Sequence, residues 1–410
     1  MLVVALLGVL FIREPHVQHW DDGFLRWLLE HSPPATPAVA LTVVELGVDS
    51  LDDKPGETAA AAVKPAKSQT RNAAISPLEF ALFLQSIMEF HPDVIAFENI
   101  LKWRDRDKDQ EQVFLDQAMR VPKLLLAAEL TGTPDPDAPG PEIHGFTQVK
   151  GRRGDLMEFS GLGRQPNEDM RLISTLGFAN LPDEVSSDLR VPLLFLYRGE
   201  VIPSFALQAI LLWLRVSPAE VKVVIGSHIV LPDGRRIPIG PDGAMLIHPY
   251  AAKTTRRISL NELLLEAQQR ESGSKGKGEM TDLHQQIVLA RTPANPLSPP
   301  DVFVSAIATI QANACIRRIS QVFDFVILAV VVACVPYVRR FDRADLILCG
   351  IAFTAGYCLL AITLISKWHL WLPGLLPLGA MWILVLSSVI LRNAFEPSRG
   401  ATVAIGPPLT

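Results

Sequence analysis

Three long apolar runs dominate the carboxyl-terminal part of this chain: Val322–Val338, Leu346–Ser366 and Leu370–Leu391. A hydrocarbon core is crossed by about 20 helical residues, so each run is long enough, or nearly so, for a transmembrane helix. The tail that follows, Arg392–Thr410, is short. The working part is therefore expected in the polar segment of about 300 residues in front, enough for one large domain or two small ones. The mean hydropathy of +0.26 fits that division. It is high for a soluble protein and low for a polytopic transporter.

Lys and Arg in short loops set the orientation of membrane helices. The loop Arg339–Asp345 carries three arginines and the tail two, whereas Lys367-Trp368-His369 holds a single lysine. The first loop and the tail are therefore expected in the cytoplasm, and the polar domain outside it. Met1–Ile12 is apolar but short, with no basic residues before it and no small-residue cleavage site after it. It reads as an uncleaved, truncated first span. The alternatives are the apolar part of a signal peptide and a hydrophobic terminus packed on the domain. The organisation expected is thus 1–12 as an apolar segment, 35–320 as the external domain, 322–391 as three spans and 392–410 as a tail.

The net charge of −5 and the absence of a basic stripe give no reason to expect nucleic-acid binding. All four cysteines lie in or beside the apolar part, so neither a disulfide framework nor a Cys/His zinc spacing is present, and no cofactor or metal is expected. Asp105-Arg106-Asp107-Lys108-Asp109 starts like a calcium loop, but Gln110 stands where the loop needs Gly. It reads better as an acidic first helical turn. Gly273–Gly278 lacks the lysine of a phosphate-binding loop, and no Gly-x-Ser-x-Gly elbow occurs. No catalytic set is visible.

Within the polar segment, Ala38–Leu46 is a β-branched apolar run, expected as a buried strand. Ser76-Pro77-Leu78-Glu79 opens a helix, with Ser as cap and Pro in the first turn. Val94–Phe97 and Leu124–Ala128 read as further strands, with a helix near Gln110–Arg120 between them. This β-α-β-α-β order implies a parallel sheet with right-handed crossovers. Further on, Leu193–Tyr197 reads as a strand and Phe205–Val216 as a core helix. Four short strands between Val221 and His248, turned at two Pro-Asp-Gly sequences, predict an antiparallel meander. Ser259-Leu260-Asn261-Glu262 is a capping box opening a helix to about Arg270. Ile287–Ala290 is a last strand, and Val302–Ala314 a helix leading towards the membrane. The fold expected is a mixed α/β domain, with a parallel core and an antiparallel meander, followed by three transmembrane helices. Asp49 and Glu98 fall at the carboxyl ends of the first two strands, where such sheets bind ligands. Both are candidate ligand-binding residues, with loop capping as the alternative.

The order of these features resembles the second type of CHASE domain, a family of extracytoplasmic sensory modules found in front of bacterial cyclases and kinases. The resemblance runs from about Pro37 to Leu391. It is carried by Gly47-Val48-Asp49-Ser50-Leu51, Ser76-Pro77, Ala96-Phe97-Glu98 and Gly177-Phe178-Ala179-Asn180. It continues through Asp188-Leu189-Arg190, Pro203-Ser204-Phe205-Ala206-Leu207, Ile237-Pro238, Asp242-Gly243 and Gln286-Ile287-Val288-Leu289. Glu98 replaces the family's usual Asp, and Ala290 its usual Gly. The resemblance adds Asp188 and Arg190 to the candidate ligand residues. It implies one span before the domain and three after it, a small-molecule or environmental ligand, and a homodimer. No kinase or cyclase follows Leu391, so a separate kinase or cyclase effector is expected to read the signal. The rival readings are a membrane-tethered enzyme and the remnant of a longer receptor.

Overall fold

A computed structural model describes residues 15–31, 38–47, 76–103, 108–133, 143–182, 189–272, 281–292, 301–319 and 342–395, with isolated residues between 323 and 333. The chain divides into two compact units: Pro34–Ile316, and Met1–Pro33 together with Arg317–Thr410.

The larger unit is built on a six-stranded, all-parallel sheet. Its strands are β1 (Leu41–Glu45), β2 (Val94–Phe97), β3 (Leu124–Ala128), β4 (Thr175–Phe178), β5 (Arg256–Ser259) and β6 (Ile287–Arg291), in the order β5-β1-β6-β2-β3-β4. The central strands read as unbroken apolar runs because both faces are covered. Alternation along them sorts the residues to two cores. Leu41, Val43, Val94, Ala96, Ile287 and Leu289 meet α3 (Phe205–Leu214) and α5 (Val302–Gln311). Val44, Ile95, Phe97, Leu126 and Val288 meet α1 (Pro77–Met88), α2 (Lys108–Ala118) and α4 (Leu260–Glu271). The connections from β1 to β2, β2 to β3 and β5 to β6 all advance in one direction and pack on that second face. The return from β4 to β5 includes α3 on the other face, as right-handed crossovers require.

The local signals act as their chemistry predicts. The Ser76 hydroxyl accepts a hydrogen bond from the Glu79 N–H, with Pro77 in the first turn of α1. At α4 the Ser259–Glu262 box forms in both directions, with Ser259 N–H donating to the Glu262 carboxylate at 2.9 Å. Arg198 and Gly199 both take positive φ, the geometry of a tight hairpin between Leu194–Tyr197 and Glu200–Pro203.

Three expectations change. β1 and β2 are not neighbours, because β6 lies between them and pairs with both. The meander closes with three strands: Lys222–Val224, His228–Val230 and Arg236–Pro238 pair in turn, and Gln148–Lys150 adds alongside in parallel. The fourth predicted strand, Ala244–Leu246, pairs instead with Arg190–Pro192. Finally, α5 is buried along nearly its whole length within the domain core rather than leading away from it.

In the smaller unit, the helix Pro15–His31 packs with Arg343–Trp368 and Leu375–Phe395. Asp21 accepts the Leu375 N–H at 2.9 Å, so its carboxylate sits at a helix amino terminus, where the dipole favours it. Among the described residues, one helix is long and apolar enough to cross a membrane: Arg343–Trp368, with 26 residues and a mean hydropathy of 2.1 over its most apolar window. The apolar stretch Leu375–Ile390 falls short of that length. Most of Val322–Val338 lies outside the described residues, as do Met1–Ile12 and the tail after Phe395.

Candidate functional site

Glu98 closes β2 at the carboxyl end of the sheet. It is 3% exposed, and its N–H donates to the Ala290 carbonyl of β6, continuing the ladder. Asn99 follows and locks the next step of β6: its Nδ2 donates to Thr292 Oγ1 at 2.5 Å, and its Oδ1 accepts the Thr292 N–H at 3.2 Å. Arg190 is placed on the small Arg190–Pro192/Ala244–Leu246 sheet, where it pairs with Leu246. Asp49 and Asp188 lie outside the described residues. β6 lies between β1 and β2, so the two strand ends are not neighbours.

The sheet crest carries a charge network that the sequence reading missed. Arg291, at the end of β6, bonds Asp301 and approaches Glu45 of β1 at 3.4 Å. Arg257 of β5 reaches the same Asp301 at 2.9 Å and Glu45 at 4.0 Å. Asp301 takes a φ of 69° as it caps α5. Two cations and two anions therefore alternate across β5, β1, β6 and α5. Each faces an opposite charge, so the crest works as an electrostatic clamp across the sheet, although Arg291 Nε is buried without an acceptor. Two strands further, at the end of β3, Glu129 holds Arg164 through a forked pair, Nε–Oε2 at 2.7 Å and Nη2–Oε1 at 3.3 Å. The hydrogen bond from Arg164 holds the Glu129 carboxyl below its usual range.

An open concavity lies elsewhere, beside edge strand β4. It is a cleft of about 370 Å³ between β4, α3 and the turn at Ser217-Pro218. Two of the family-like motifs meet beside it. The β4 segment Gly177-Phe178 lies against Pro203-Ser204-Phe205, with Phe178 bridged to Ser204. A Cβ on Gly177 would come within 2.8 Å of the Phe205 ring and 3.1 Å of its Cα, so only glycine admits α3 this close. Asn180 then clamps the strand beyond β3, accepting the Leu130 N–H at 2.8 Å and donating to its carbonyl at 2.9 Å. Gln208, the one polar residue of the otherwise apolar α3, faces this cleft and is 9% exposed. That lone amide in a core helix was the sequence signal available for this region.

A family model described as the CHASE2 domain matches residues 2–303. No curated protein and no solved structure gives a match. Among the described residues no cluster of three His, Cys, Asp or Glu side chains is placed to hold a metal ion.

Proposed function

This chain belongs to the CHASE2 domain family of extracytoplasmic sensor domains, and from that premise we propose that it is a membrane-anchored sensor. Its α/β domain binds a small-molecule or environmental signal outside the cytoplasm. The apolar carboxyl-terminal helices hold it in the bilayer with the tail inside, and they relay the ligand state to a separate kinase or cyclase. The single observation that carries this reading is the family match over residues 2–303. The helix Arg343–Trp368 supports the anchor. Leu348, Leu359 and Leu360 project outward from it, each more than half exposed, and a lipid surface would cover them. A ligand can shift such a molecule only by binding its two conformations unequally.

The test is a set of reporter insertions in the full chain. Alkaline phosphatase, active only outside the cytoplasm, is placed in the 273–280 loop, in the 339–345 loop and after residue 410. Activity is expected at the first position and none at the other two; the reverse pattern overturns the reading. Copurification of a kinase or cyclase with the tagged chain checks the relay. If nothing is retained after crosslinking, the separate effector is ruled out.

A further inference from the structure

We propose that the flank cleft beside β4 is the ligand pocket of this domain, and that it takes a small organic carboxylate. This rests on the sensor reading and adds the place and the chemistry. Pockets for small molecules have volumes of roughly 300–1,000 Å³ and combine apolar walls with a few convergent polar groups. This cleft has the size, at about 370 Å³. Its apolar wall is Leu176 and Phe178 of β4, with Ile143 and Pro203 beside them.

One polar group in it is left incomplete. Arg171 donates through Nη1 to Gln165 at 3.2 Å, while its Nε is buried without a hydrogen-bond acceptor. Nε and Nη2 form the edge of the guanidinium that grips a carboxylate through two parallel bonds. Gln208, nine-tenths buried as a residue, adds its side-chain amide to the lining. Thr175 adds a hydroxyl to the lining. Among the described residues, no Asp or Glu lines the cleft. A molecule with one carboxylate for Arg171, a polar group for Gln208 and a short hydrocarbon body for the Leu176–Phe178 wall matches this lining.

The test uses the full chain in nanodiscs. Butyrate, benzoate, succinate and glutarate are titrated by calorimetry and by thermal shift, beside the uncharged butyramide, benzamide, succinamide and glutaramide. At least one carboxylate is expected to bind saturably and raise the melting point, with its amide counterpart inert. Arg171→Gln and Gln208→Leu should each weaken that binding about tenfold or more, and Arg171→Lys should recover part of the loss. If either variant melts early without ligand, Thr175→Val gives the third reading of the same cleft. The pocket is overturned if none of the four carboxylates binds, or if binding survives these substitutions unchanged. Failure of the pocket alone leaves the reporter pattern intact, with the domain outside. Failure of the sensor reading shows as phosphatase activity on the wrong side, whatever binds.

Discussion

At the scale of single residues, the crest of the sheet is held by pairs whose strength follows protonation. Glu129 is held below its ordinary carboxylate range by the Arg164 hydrogen bond. A depressed folded value gives stability that is complete above the unfolded value, about 4.3 for Glu. It is lost as pH falls through the lower folded value. Below the ordinary Glu value, wild type should therefore lose stability that Glu129→Gln has already forfeited. Melting curves of both proteins from neutral to strongly acidic pH should converge at the acid end. A constant gap between them would show that the pair contributes nothing ionic. The pair is partly solvated, so its contribution should also shrink in high salt.

At the scale of elements, the second core is a packed aromatic cluster. Phe97 of β2 is fully buried, with its ring centroid 5.6 Å from Phe80, 5.5 Å from Phe83 and 5.9 Å from Phe114. Removing it strips contacts from two helices at once. Phe97→Ala should cost about 3–5 kcal/mol, a large share of the roughly 5–15 kcal/mol that holds a domain together. Leu172→Ala, at a position 80% exposed, should change stability by less than about 0.5 kcal/mol. Urea unfolding of the two variants measures the difference. Much at this scale was legible in the sequence, for reasons that are local. Val94–Phe97 and Leu124–Ala128 were readable as strands because both are short apolar runs bounded by Pro on one side and polar residues on the other. The Ser259 box specified the start of α4 within a few residues of chain. Arg256–Ser259 was not readable, because an edge strand with two arginines lacks the apolar signature of a buried one. Nor does sequence order reveal partners: Ala244–Leu246 has the pattern of a meander strand and is matched to Arg190–Pro192 by long-range packing. The candidate site suffered most from this. Glu98 was found because strand ends are local features. Arg171 and Gln208 meet only once β4 and α3 have folded together.

At the scale of the whole molecule, composition separates a charged α/β domain from an apolar helical part. The helix Arg343–Trp368 has 26 residues, or about 39 Å at 1.5 Å per residue. That exceeds a hydrocarbon core of about 30 Å, so the helix can tilt and still span. The full chain should stay in the membrane pellet through an alkaline carbonate wash and come into solution only with detergent. Release by carbonate would reduce the helix to a peripheral contact.

The placing of β6 has a consequence for how the protein is made. β1 and β2 emerge early, but the strand that joins them arrives about 250 residues after β1 begins. Counted from the end of β2, about 190 residues earlier, a synthesis rate of roughly 5–20 residues per second leaves the nascent chain about 10–40 s with a vacant slot at the middle of its sheet. During that interval both flanking strands present unpaired backbone, the surface on which other chains add. The last strand of the domain works as a keystone: the halves β5-β1 and β2-β3-β4 pair without it but join only through it, and a ribosome stalled short of Ile287 would leave two half-sheets for the cell's chaperones to hold apart.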